Sequence, residues 1–326
     1  MASVFVTADW HVQSGIAVSI TIDYIDYIKE FCKKENIKDI IIAGDVFEKS
    51  TKIQNDAFIP LFFKFKELKD EGFNVIIVLG NHDIANIDND SLVETFSVFG
   101  KVVKSFEQIQ LGGRTIDLLP YTKDESLLPS GGDLLITHLS IADFTFDNKY
   151  HVNEKAGFSR KLFSGYNKVF TGHFHRPQSK GNIIYPGSFR QMNFGEVGQK
   201  KGFIVLDLDT DEWERKYYTQ APTYKRINGE DFQKEDVNNC FVQVIIKEKL
   251  DNYVKLKHLL YERGALDVTP SFADNTDEIS VDDDASIDMN SSVKDMVKDY
   301  IANNIKADGI DNDKLLSIFE DVLKAM

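Results

Sequence analysis

Five short apolar runs in the first 175 residues each stop at a cluster of Asp, Asn or His, and this recurrence constrains the fold more than any other feature. The run Ser3 to Ala8 ends in Asp9-Trp10-His11, Asp39 to Ala43 ends in Gly44-Asp45, and Phe73 to Leu79 ends in Gly80-Asn81-His82-Asp83. Leu134, Leu135 and Ile136 lead to His138, and Lys168 to Thr171 lead into Gly172-His173-Phe174-His175. The first three runs are apolar on both faces, which predicts strands of a covered, mainly parallel sheet. Helical spacing separates them: Ile22, Ile25, Tyr27, Ile28 and Phe31 in one stretch, and about Gln54 to Glu71 in the next. Ligands of open α/β sheets gather at the carboxyl ends of strands, where these clusters fall.

The middle of the chain changes character. Runs at Arg114 to Leu119, Asp133 to Thr137, Lys168 to Thr171, Asn182 to Tyr185 and Gly202 to Leu208 are joined by turn residues without helical stretches. They predict a second sheet, mixed or antiparallel, packed on the first. The fold class expected is therefore α/β (α+β): two packed mixed β-sheets flanked by helices over residues 1–221. A smaller α/β unit follows over 222–272, with strand-like Phe241 to Ile246, helical Tyr253 to Tyr261 and a strand near Leu266 to Thr269. Residues 273–291 are rich in Asp, Ser and Asn and read as an acidic flexible linker. Two amphipathic stripes within 292–326 then predict terminal helices, which either fold back onto the body or dock on a partner.

Charge and composition narrow the class. With 38 Lys and Arg against 52 Asp and Glu, the net charge of −14 argues against a simple basic-patch nucleic-acid binder. The acidity is concentrated late, with fourteen acids and five bases from Ser271 to Met326. No apolar run reaches the roughly 18–20 residues of a membrane-spanning helix. Met1 to Trp10 show no secretion signal. Cys32 and Cys240 are the only cysteines, which excludes a disulfide scaffold and a cysteine zinc site and points to a reducing, cytoplasmic compartment.

Five of the seven histidines belong to the clusters. Oxygen donors Asp9, Asp45 and Asn81, mixed with imidazoles His11, His138, His173 and His175, suit borderline divalent ions such as manganese, iron or zinc. His173 and His175, two apart on an extended segment, share one side. Seven ligands exceed one open site and fit two ions, with Asp45 the natural bridge between them. Two ions about 3.5–4 Å apart can clamp a phosphoryl group for in-line attack. His82, beside a ligand without needing to be one, can protonate the leaving oxygen or neutralise developing charge. Other residues read more plainly. His151 and His258 are expected at the surface, and Cys32 in the core. Phe58, Phe62, Phe63 and Phe65 serve packing, in the core or at a subunit interface. Among the basic residues flanking the motifs are Lys149, Lys155, Arg160, Lys161, Arg176, Arg190, Lys200 and Lys201, some of which could contact phosphates.

The order Asp-x-His, Gly-Asp, Gly-Asn-His-Asp, lone His, Gly-His-x-His resembles the calcineurin-like metallophosphoesterase superfamily over Val4 to His175. That resemblance implies two packed β-sheets flanked by helices, and places Glu48 as the acid that orients His82. A narrower match, Tyr185-Pro186-Gly187-Ser188-Phe189-Arg190 with Asn193-Phe194-Gly195-Glu196, resembles the nuclease component of SbcCD-type double-strand-break repair complexes and its tailed-phage counterparts. It implies a manganese-dependent nuclease with 3′-to-5′ exonuclease action on duplex ends and endonuclease action on single strands. The site implied is catalytic His82 and Glu48, metal ligands Asp9, His11, Asp45, Asn81, His138, His173 and His175, and Arg190 toward substrate. It further implies DNA as substrate, a homodimer, a DNA-capping role for 222–272, and an SbcC-type coiled-coil ATPase bound by the terminal helices. Two alternatives remain open: hydrolysis of a small phosphodiester or phosphoprotein at the same centre, and a non-catalytic scaffold on the same fold.

Overall fold

The apolar runs do become strands, and their period-2 patterning explains the layers. The computed structural model describes residues 2–49, 53–85, 90–145, 157–229, 232–246 and 250–272. The linker 273–291, the segment 292–326, His151, Lys149 and Lys155 lie outside the described residues. In chain order come β1 (Ser3–Thr7), α1 (Ile16–Lys34), β2 (Asp39–Ala43), α2 (Asn55–Asp70), β3 (Asn74–Val78) and β4 (Lys101–Val103). Next are β5 (Glu107–Leu111), β6 (Arg114–Leu119), β7 (Gly132–His138), β8 (Tyr166–Gly172), β9 (Gln178–Lys180), β10 (Ile183–Tyr185), β11 (Gly202–Asp207) and β12 (Trp213–Tyr217). The last described part holds β13 (Thr223–Asn228), β14 (Cys240–Ile246), α3 (Leu250–Glu262) and β15 (Asp267–Phe272).

The first sheet has the order β12-β11-β1-β2-β3-β4, and the second β5-β6-β7-β8-β10-β9. Strands β1 to β4 are parallel, as are β6, β7, β8 and β10. Val4, Val6, Ile41, Ile76 and Val78 of the first sheet meet Ile116, Leu118, Leu134, Ile136 and Phe170 of the second in one dry layer. The alternate residues Phe5, Ile40, Ile42, Val75 and Ile77 face the other way, against Tyr24, Ile25 and Ile28 of α1 and Leu61, Phe65 and Leu68 of α2. Strands buried on both faces have no polar side to alternate with, hence the unbroken apolar runs. Cys32 is fully buried in this outer layer, and burial pushes its thiol up to about 12, so it is a packing residue.

One expectation is corrected. Gly202 to Leu208 does not join the second sheet; as β11 it pairs antiparallel with β1 at the heart of the first. Stacking of Phe203 on Phe5, with ring centroids 4.2 Å apart, helps secure that pairing. Strands β4, β5, β9, β12 and β13 carry no clear apolar run and were not expected. The phenylalanine cluster of α2 divides: Phe65 is buried against Phe96, Phe58 and Phe62 are half-buried, and Phe63 is 62% exposed. Strands β13, β14 and β15 form a parallel third sheet with its own core of Val242, Val244, Leu260 and Val268. His258 is exposed, as expected. Among the described residues no helix is long and apolar enough to cross a membrane.

Candidate metal centre

The parallel strands β1, β2 and β3 of one sheet and β7 and β8 of the other end on the same side, so all five clusters converge. Direct contacts tie them across the interface. His138 Nδ1–H donates to the Ala43 carbonyl at 2.8 Å, and the His173 N–H donates to Asp9 Oδ1 at 2.9 Å. Asp9, His11, Asp45 and His173 all have positive φ, at 54°, 44°, 55° and 98°. Left-handed backbone is costly for a β-carbon-bearing residue and concentrates where surrounding structure demands it.

The glycines of the motifs are there because of close approach. A β-carbon on Gly44 would lie 2.2 Å from His138 Nδ1, and one on Gly80 would lie 2.1 Å from Asp45 Oδ1. Gly80→Ala is therefore expected to displace the Asp45 carboxylate. A misplacement of about 1 Å in a reacting group costs roughly 100-fold in rate, which steady-state hydrolysis of a phosphodiester would reveal. An unaltered rate would mean that Asp45 has room to retreat without cost.

The imidazoles are oriented by their outer nitrogens. His11 Nδ1–H donates to Glu48 Oε2 at 2.8 Å, His175 Nδ1–H to Glu196 Oε1 at 3.0 Å, and His82 Nδ1–H to the Glu48 carbonyl at 2.6 Å. With the Ala43 contact, four of the five rings are left with Nε2 free to face inward. His173 is turned over, with Nδ1 lying 2.9 Å from Asn81 Oδ1. Inside, Asp45 Oδ2 sits 3.1 Å from His138 Nε2 and 3.4 Å from His11 Nε2. His11 Nε2 and His175 Nε2 are 3.0 Å apart. Asp9 Oδ2 is buried with no hydrogen-bond partner.

These features fit a divalent cation. Two imidazoles that each give their Nδ1 proton to a carboxylate present lone pairs to one another, which is unfavourable unless a cation or proton lies between them. Asp9, His11 and His175 form one set of donors within 4.8 Å of one another; Asp9, Asp45 and His138 form a second, sharing Asp9. Electrostatics agree with the donor chemistry. Burial would raise the Asp45 carboxyl, but the adjacent His138, His11 and His82 hold it well below its usual range. Burial would lower His138, but Asp45 raises it to about 9. His173, buried beside His138, is lowered to about 3 and stays neutral.

All nine ligand and catalytic positions expected from the sequence lie in this one site, but Glu48 does so differently. Its carboxylate takes His11, and only its backbone carbonyl takes His82. Arg190 is 7% exposed; its guanidinium donates to the His11 carbonyl at 3.4 Å, and its Nε has no hydrogen-bond partner. It borders a cavity of about 290 Å³ shared with Gln191, Lys200, Lys201 and Tyr217. A neighbouring cavity of about 360 Å³ is lined by Arg176, Lys200 and Arg215. Sequence reasoning missed three supporting roles. Fully buried Asp83 accepts from the Gly80, Val46 and Phe47 N–H groups and so ties the β3 turn to the β2 turn. Burial and the nearby Asp45 charge push its carboxyl up to about 7. Glu196 and Lys201 pair at 2.8 Å behind His175. Glu196 closes the Asn193-Phe194-Gly195-Glu196 segment that the sequence singles out, but nothing local to that segment points it at His175.

Comparison with known proteins agrees with this geometry. The family described as calcineurin-like phosphoesterase matches residues 2–200. The chain is 24% identical to exonuclease subunit 1 of Enterobacteria phage T4, over 94% of this chain and 93% of that protein. It is 25% identical to the D component of nuclease SbcCD from Staphylococcus epidermidis, over 77% of each.

Proposed function

The chain belongs to the calcineurin-like phosphoesterase family, and on that premise we propose that it is the nuclease subunit of an ATP-regulated DNA end-processing complex. The observation that carries the phosphodiesterase chemistry is the pair of His11 and His175 Nε2 atoms facing across 3.0 Å beside the unpartnered, buried Asp9 Oδ2. Asp9, His11, Asp45, Asn81, His138, His173 and His175 would hold two divalent ions of the borderline kind that carboxylate, amide and imidazole donors suit, manganese being the one the nuclease resemblance implies. When bound, such ions supply Lewis acidity and positive charge for phosphodiester hydrolysis.

The chain's own residues do the rest. His82, fixed through Nδ1 by the Glu48 carbonyl, presents Nε2 to protonate the departing sugar oxygen. Glu48 and Glu196 keep His11 and His175 in the tautomer that leaves Nε2 available. Arg190, Lys200 and Arg176 border the adjoining cavities, where a phosphodiester backbone gains charge-assisted hydrogen bonds. The relatives named as an exonuclease subunit and a nuclease subunit support DNA as substrate and a partner protein. The exposed Phe63 and Ile59 of α2 are the surface for a homodimer, residues 222–272 cap the DNA, and 292–326 bind a coiled-coil ATPase across the linker 273–291. Action is 3′-to-5′ on duplex ends and endonucleolytic on single strands, in a reducing cytoplasm.

The test is cleavage of a 3′-end-labelled duplex by purified protein with manganese, with magnesium and with chelator. Manganese-dependent release of nucleotides is expected. Faster hydrolysis of a cyclic nucleotide than of any DNA would transfer the proposal to a small phosphodiester.

A further inference from the structure

We infer that Glu196 is the positioning residue for His175 and that Lys201 locks it in place, so that this buried pair sets the cation affinity of the Asp9–His11–His175 side of the centre. The inference rests on the metallophosphodiesterase reading above, and deepens it.

Glu196 is 4% exposed, and all of its acceptor capacity is directed at one task. Oε1 takes His175 Nδ1–H at 3.0 Å; Oε2 takes the Met192 N–H at 2.9 Å and Lys201 Nζ at 2.8 Å. Lys201, 5% exposed, also donates to the His175 carbonyl at 2.7 Å. The ring and the backbone of His175 are thus held by two residues that touch each other. The Ser188 N–H is a second donor to the same carbonyl, at 3.1 Å. Burying a carboxylate and an ammonium carries a desolvation cost for each ion, which a purely structural contact between β-segments would not require. A carboxylate on the outer nitrogen of a ligating imidazole instead fixes its tautomer and raises its basicity. On the opposite side of the same donor set Glu48 does this for His11, so two carboxylates together drive two Nε2 atoms to 3.0 Å. The outer nitrogen of His138, by contrast, meets the neutral Ala43 carbonyl rather than a carboxylate, so the two sides of the centre receive unequal support.

The experiment titrates metal-free full-length protein with Mn²⁺, reading free ion by electron paramagnetic resonance, for the natural chain, Glu196→Gln, Lys201→Met and the double variant. Thermal unfolding in chelator runs in parallel. Outer-sphere partners are worth about 10–100-fold in metal affinity. Glu196→Gln should lose that factor for one class of ion, and the double variant, which carries no stranded buried charge, should lose it too. Lys201→Met alone should lose less, because Glu196 keeps its His175 and Met192 contacts. Unchanged Mn²⁺ affinity in both Glu196 variants, with a lowered unfolding temperature, would make the pair structural and overturn the inference. Absence of Mn²⁺ binding by the natural chain would overturn the metal centre itself, a different failure from the first.

Discussion

Asp45→Asn is expected to abolish phosphodiester cleavage and to weaken binding of at least one divalent ion by more than the roughly 100-fold that outer-sphere partners can cost. The substitution is chosen to isolate charge. Asn keeps the volume and tolerates the left-handed backbone that Asp45 adopts at φ 55°. Its amide oxygen can still accept from the His82 N–H, now at 2.9 Å from Oδ1. What it cannot offer is a negative second oxygen between His138 Nε2 and His11 Nε2, at 3.1 and 3.4 Å. Near-complete burial makes the loss larger, because solvent cannot replace the missing charge. Mn²⁺ titration and single-turnover hydrolysis, run together, check it. Retention of two tightly held ions by Asp45→Asn would show that the Asp45 charge is not needed to hold them.

His82→Ala separates chemistry from metal binding. Loss of a general acid costs about 10²–10⁴-fold in rate. His82 lies within 4.8 Å of donor atoms of His11 and Glu48, but its Nδ1 is taken by the Glu48 carbonyl, and its backbone N–H rather than its ring holds Asp45. Truncation at the β-carbon leaves that N–H in place, so cation binding should be unaltered while turnover collapses. A phosphodiester with a leaving group of low pKa, which needs no protonation, should recover most of the rate. If His82→Ala instead loses its metal, the ring is a ligand, and the histidine that protonates the leaving oxygen must be sought elsewhere.

The longer apolar strands and the end at which the Asp, Asn and His clusters gather were legible in the chain. β2 spans Asp39–Ala43, the bounds its apolar run predicts, and β6 likewise spans Arg114–Leu119. This legibility has a physical origin. A strand buried on both faces leaves little room for polar residues, so after the apolar runs of β1, β2 and β3 the next Asp or Asn marks the terminus. A parallel arrangement then sends those termini to one edge. The terminal region is different in kind: the acidic run at 273–291 and the amphipathic stripes of 292–326 are patterns of the sequence alone.

Only the tertiary structure decided which residue supports which. Periodicity states that a run is a strand and which face is apolar, but not its neighbour; the antiparallel ladder with β1, with Phe203 stacked on Phe5, is what places β11 in the first sheet. The supporting contacts join positions far apart: His11 with Glu48 across 37 residues, His175 with Glu196 across 21, and the two histidines with each other across 164. No local pattern encodes such pairs. An exposed Glu and a buried Glu read alike in one sequence: Glu48, its side chain still a third exposed, turns its carboxylate to His11 rather than His82, and burial makes Glu196 and Lys201 part of the site.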